Sequence, residues 1–257
     1  MKCTWTICQK ELKGFLGSPN FYLIAFLFTL IFSLTYSLSL SQFIRNMSAM
    51  VAAPGVPSQQ MNIHYGVFLR LLSYLNLMLI FVVPALTMKL FAEEKKLRTF
   101  DLLLTSPVTS LHIVFGKFFA ALGVVFVLVF LAFLYPLATA TFATVQWGPL
   151  IVAYLGIFLV GAVYAAMNLF CSSLTESILI AYVASVLLNI SIWLVGMGVE
   201  AVDGQTARQI FEHISLNTHL AGLVEGTIRS SAIIFLFSIC ALFVFLCERV
   251  VESNRWR

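Results

Sequence analysis

The sequence predicts an all-α membrane protein with six transmembrane helices, an amphipathic interfacial helix ahead of the first, and a cytoplasmic coupling helix between the second and third. Three observations carry that expectation. Apolar residues make up 61% of the chain and charged residues 10%, too few polar side chains to cover a surface facing water. Six apolar stretches are close to the roughly 20 helical residues that cross a hydrocarbon core of about 30 Å. None alternates with the period of two expected of a barrel strand, and a helix satisfies its own backbone N–H and C=O groups inside lipid.

Residues 1–17 read as the interfacial helix. Trp5, Cys8, Leu12, Phe15 and Leu16 recur at helical spacing on one face, while Lys2, Thr6, Gln9, Lys10 and Lys13 fall on the other. Such a helix lies on membrane lipid with its lysines toward anionic headgroups. Gly17-Ser18-Pro19-Asn20 then turns the chain into the bilayer. The first apolar run is long enough to cross, and Lys10, Glu11 and Lys13 interrupt what precedes it, which argues against a cleaved signal peptide.

The spans are expected at 21–43, 67–91, 111–139, 147–171, 177–197 and 230–247 within one domain. Between the first two, Ile44 to Gly66 contains Pro54, Gly55 and Pro57 and reads as an extended connection. In the segment 198–229, Thr206 to Ile214 and Asn217 to Ile228 read as short amphipathic helices on the outer face, with a simple surface loop as the alternative. Leu220, Leu223, Val224 and Ile228 form the apolar side of the second.

Lysines and arginines orient the bundle. With an even number of spans both termini share one side, and 11 of the 15 basic residues fall there against 4 opposite. Both termini are therefore expected in the cytoplasm. The five cysteines agree, since none falls in an external loop where a structural disulfide would form.

Several chemistries have no signature. The histidines and carboxylates lack metal-ligand spacing, no nucleophile elbow occurs, and no G-x-x-x-x-G-K-[ST] run would cradle ATP. The net charge of +4 is a topology signal and does not suggest nucleic acid. The span interiors hold no ionisable side chain apart from residues near their ends such as Arg70, Lys89 and Lys117, which disfavours ion-driven transport. Asn76, Asn168, Asn189 and Ser191 read as helix-joining polar groups. Pro84 and Pro136 are expected to bend their helices, and the small residues Gly161 and Ala165 to admit a close neighbour.

The one dense run of charge, Glu93-Glu94-Lys95-Lys96-Leu97-Arg98, lies between two spans on the basic side. On charge alone it is an ordinary positive flank with compensating acids. Yet Leu97, Phe100, Leu103 and Leu104 add an apolar face, and Thr105-Ser106-Pro107 stops the segment before Ser110. The run from Phe91 to Thr109, with Ile113, Gly116 and Lys117, resembles the segment after the second membrane helix of ABC-2 type transporter permeases. It is especially similar to the gliding-motility and nitrous-oxide-reductase-maturation subgroup.

That resemblance implies a homodimer, or a pair with a paralogous permease, in a bacterial inner membrane. It also implies a separate ABC ATPase subunit that binds ATP and Mg, leaving this chain without cofactor or catalytic residues. The segment 92–106 would be the coupling helix docked on that ATPase. Its contact residues would be Glu93, Glu94, Lys95, Lys96, Leu97, Arg98, Thr99, Phe100, Asp101, Leu103 and Leu104, while Trp5, Leu12 and Phe15 would anchor the interfacial helix. Arg98 stands where relatives often carry a small residue, and Asp101 where they often carry Glu. Export of an unidentified substrate is the expected function. A membrane anchor for an ATPase-driven machine acting on a periplasmic companion protein is the alternative, and an independent secondary carrier a more distant one.

Overall fold

A computed structural model describes residues 2–52, 63–100, 108–201, 209 and 213–255. Among the described residues every regular element is helical, and six helices are long and apolar enough to span a bilayer. In chain order the elements are α1 (Lys2–Leu16), α2 (Pro19–Ala52), a π-helical turn (His64–Phe68), α3 (Leu69–Thr87), α4 (Lys89–Lys96) and α5 (Ser110–Thr139). There follow α6 (Trp147–Leu174), α7 (Ile178–Ala201), the short α8 (Leu216–Val224) and α9 (Ser230–Arg255).

The fourth span, α6, is the centre of the bundle. In its most apolar stretch 72% of residues are buried, against 17% in the first and fifth spans. Small side chains let its neighbours close in. A Cβ added at Gly161 would lie 2.6 Å from Val125 Cγ1 of α5, so the close neighbour of this small-residue face belongs to the same chain. Polar groups join the helices where lipid offers no alternative partner. Tyr164 of α6 donates to Asn76 of α3 (3.1 Å), and Asn189 of α7 donates to the carbonyl of Ile80 (3.3 Å). Ser191, in contrast, bonds only back to Leu187 in its own helix.

At 30 residues α5 is about 45 Å long, more than a hydrocarbon core requires. Its first turns therefore extend past the core, and α1 packs along them. Ile7 and Thr4 meet Gly116, and Leu12 meets Gly123, so α1 runs beside α5 and does not lie alone on lipid. Its inward face is centred on Ile7, Cys8, Glu11 and Leu12. Trp5, expected on the apolar anchor face, is 63% exposed.

Two connections differ from expectation. Helix α2 continues through Ile44 to Ala52, where an extended connection was expected; the residues from Arg45 to Met50 are compatible with a solvated helical end. Helix α8 begins at Leu216, capped by the Ser215 hydroxyl, which accepts from the Thr218 N–H at 3.2 Å. It buries Leu220, Leu223 and Val224, but ends at Val224, so Ile228 is 66% exposed and is not part of its apolar side. Thr206 to Arg208 and Ile210 to Glu212 of the preceding expected helix, and the proline-bearing stretch Pro54–Pro57, lie outside the described residues.

Candidate functional site

The second span is jointed near its charged end. Helix α3 stops at Thr87, shortly after Pro84, and α4 resumes at Lys89. Ser172 of α6 fills the joint. Its hydroxyl accepts from the N–H groups of Phe91 (3.2 Å) and Ala92 (3.1 Å) and donates to the carbonyl of Met88 (2.8 Å). A side chain inserted into the helical ladder is a recognised cause of such a break.

Helix α4 ends in a tight cap. The Thr99 N–H donates to the Glu94 carbonyl (3.0 Å), the Arg98 N–H to that of Lys95 (3.1 Å), and Arg98 has φ 55°. This is the paired bonding of a Schellman stop with arginine in the left-handed position that glycine usually fills. Lys96, Leu97, Arg98 and Thr99 are all exposed, forming a tip beyond the span.

Beneath that tip lies a buried charge cluster. The Lys117 side chain is 1% exposed, and its Nζ is 2.9 Å from Glu94 Oε1, 3.1 Å from Glu11 Oε1 and 2.6 Å from the Leu90 carbonyl. The ammonium donates to Glu11 and to the Leu90 carbonyl and pairs with the Glu94 carboxylate, and the Phe91 ring lies 5.1 Å away. Lys10 stands at the exposed rim, 3.7 Å from Glu11 and 3.8 Å from Glu94. Two lysines and two glutamates balance formally, which is what allows a lysine to be buried at all. Helices α1, α4 and α5 are thereby tied at one point.

Several expected docking residues turn inward. The helix expected over 92–106 is divided: Ala92 to Lys96 complete the second span, the chain turns through Leu97 to Thr99, and helix resumes at Phe100. Phe100 is 4% exposed and packs edge-on against Phe91 with ring centres 6.1 Å apart. Lys95 lies 5.4 Å over that ring and donates to the Ser173 carbonyl at 2.5 Å. Glu93 is half-buried, and Glu94 faces Lys117. Burial of the Phe100 ring removes apolar area from water, and Glu94 turns inward to supply the charge that the desolvated Lys117 ammonium requires. Asp101, Leu103 and Leu104 lie outside the described residues, as do Leu102 and Thr105 to Pro107. Leu12 and Phe15 are half-buried on α1.

Sequence reasoning missed Glu11, Lys117 and Ser172. Faint signals existed for two of them: Lys117 stands inside an apolar run, and Glu11 shares a helix face with Ile7. Beside the exposed tip a cavity of about 650 Å³ opens between the second and fifth spans, with Met88, Lys96, Glu176 and Tyr182 on its wall. The five cysteines are free, Cys3 exposed and Cys8 buried, and burial pushes the Cys8 thiol pKa up. Among the described residues no three His, Cys, Asp or Glu side chains gather to hold a metal ion.

Six long apolar helices with a charged tip on one end define a multi-pass integral membrane protein. The chain belongs to the family described as ABC-2 family transporter protein, whose model matches residues 5–247, nearly its whole length. It is accordingly a permease-type membrane component of the ABC transporter class, a class that works with an ABC ATPase subunit and often as a dimer. No curated protein is similar enough to count as a match.

Proposed function

We propose that this chain is the permease subunit of an ATP-driven exporter, moved by a separate ATPase that docks on the tip formed by Lys96, Leu97, Arg98 and Thr99. The supporting observation is mechanical. The tip is exposed, yet the turn just before it is bonded to α1 and α5 through Glu94 and to α6 through Lys95, Ser172 and Ser173. A push on the tip reaches the second, third and fourth spans together.

In this reading the ATPase binds ATP and Mg, and nucleotide binding draws the tips of two permease copies, or of this chain and a paralogue, toward each other. Hydrolysis releases them. Both termini are cytoplasmic, as the distribution of basic residues favours, and the membrane is a bacterial inner membrane. Residues Glu93, Glu94, Lys95 and Phe100 act as supports of the tip. The residues from Asp101 onward continue the docking element, and the run from Phe91 to Thr109 favours the gliding-motility and nitrous-oxide-reductase-maturation subgroup.

Reconstitution with the ATPase tests this. Leu97→Asp and Arg98→Glu should weaken ATPase binding and remove permease-dependent stimulation of hydrolysis, with elution and thermal midpoint unchanged. Full stimulation in both variants rejects the docking site.

A further inference from the structure

At the end of the bundle opposite the charge cluster, a cavity of about 660 Å³ lies between α8 and the first turns of α9. Among the described residues its wall holds Arg229, His213 and His219 but no carboxylate. Arg229 has no ion-pair partner among the described residues and immediately precedes the sixth span, the depth at which phospholipid headgroups lie. Each histidine is oriented by a main-chain carbonyl: Nδ1 of His213 donates to Gln209 at 3.1 Å, and Nε2 of His219 donates to His213 at 3.2 Å. A carbonyl only accepts, so each bonded nitrogen carries a proton, and the second nitrogen of each ring accepts in the neutral imidazole and donates only in the imidazolium.

Thr218, Thr227, Ser231 and Ser238 add hydroxyl groups to the wall, and one side of it is apolar. The His219 ring lies on Phe235 with centres 4.2 Å apart, and Leu223 and Ile234 complete that side. Ile234 and Phe237, 65% and 61% exposed, then lead along α9 into the lipid-facing surface. A cation and two oriented imidazoles at headgroup depth, continuous with an apolar track, suit a ligand with an anionic head and a hydrocarbon tail. Guanidinium favours a phosphate oxyanion, which it can grip with two parallel N–H groups.

We propose that this cavity is a binding site for an anionic phospholipid, its phosphate held by Arg229, with His213 and His219 donating to it in their imidazolium form, and an acyl chain lying along Phe235 and Ile234. The inference is independent of which ATPase drives the protein and of what it transports.

The full-length protein in phosphatidylcholine nanodiscs, doped with phosphatidylglycerol carrying a photoreactive acyl chain, provides the test. Illumination and peptide mapping should place the label within 230–238. Labelling should fall about 10-fold in Arg229→Gln, the loss of one charge-assisted contact. It should hold in Arg45→Gln, which removes an exposed arginine late in α2 and reports non-specific attraction. Undiminished labelling in an Arg229→Gln protein that elutes as wild type overturns the site, as does an equal loss in Arg45→Gln. Equal labelling by photoreactive phosphatidylcholine overturns the anionic preference. Displacement of the label by inorganic phosphate alone overturns the lipid as occupant in favour of a soluble phosphate.

Discussion

Glu94 Oε1 lies 2.9 Å from Lys117 Nζ, and this contact joins the last turn of the second span to the early turns of the third. Glu11 completes the arrangement at 3.1 Å, bringing the N-terminal helix to the same ammonium. A buried ion pair is weak evidence of stability when compared with an apolar replacement, but removing one partner strands the other. The cluster is therefore better understood as a joint between helices than as a source of folding energy.

Lys117→Met should destabilise the protein by about 3–5 kcal/mol, because two carboxylates lose their shared cation. Adding Glu11→Gln and Glu94→Gln in the same chain should recover much of that loss. Thermal unfolding in detergent measures both, and a triple variant no better than Lys117→Met alone contradicts the arrangement.

Arg98→Gly should leave the turn intact and stabilise it by roughly 1 kcal/mol, since a left-handed backbone is unfavourable for a residue with a Cβ. The same substitution removes the guanidinium from the tip. A rise in thermal midpoint together with weaker ATPase binding is expected, and a fall in midpoint contradicts the turn.

Cys3 and Cys8 report topology and packing together. A membrane-impermeant maleimide should label Cys3 in inverted vesicles and not in right-side-out ones, if the N-terminus is cytoplasmic. Cys8 should react slowly. Burial raises its thiol pKa, so less thiolate is present at neutral pH and its alkylation should climb only as the pH rises toward that higher value. Peptide mass spectrometry over a pH series distinguishes the two sites.

Gly161→Ala should cost about 1–3 kcal/mol, because the new methyl would stand 2.6 Å from Val125 Cγ1 in a packed interior. Val125→Ala in the same chain should relieve the clash and restore most of the thermal midpoint. Independent, additive losses contradict contact between these helices.

Much of the architecture is legible in the sequence. The third span was expected at 111–139 and is found at Ser110–Thr139, and the fourth was expected from Trp147 and begins there. Solvation explains this accuracy: an apolar helix of sufficient length has one stable environment, whatever its neighbours are. The candidate site was legible only in part. The exposed tip from Lys96 to Thr99 was within the expected docking run, but Glu94 and Phe100 looked just as suitable in a linear sequence.

What separates those residues is packing between distant segments. Lys117 meets Glu11 across 106 residues, and Lys95 meets Ser173 across 78. Neither pairing leaves a periodic trace, because each requires only one polar side chain on an otherwise ordinary helix face. Hydrophobic length alone settled how many helices would cross and roughly where each begins. Which charges turn inward, and which four residues stay exposed at the tip, was decided when α1, α4 and α5 closed around one ammonium group that had to be neutralised away from water, with α6 bracing α4.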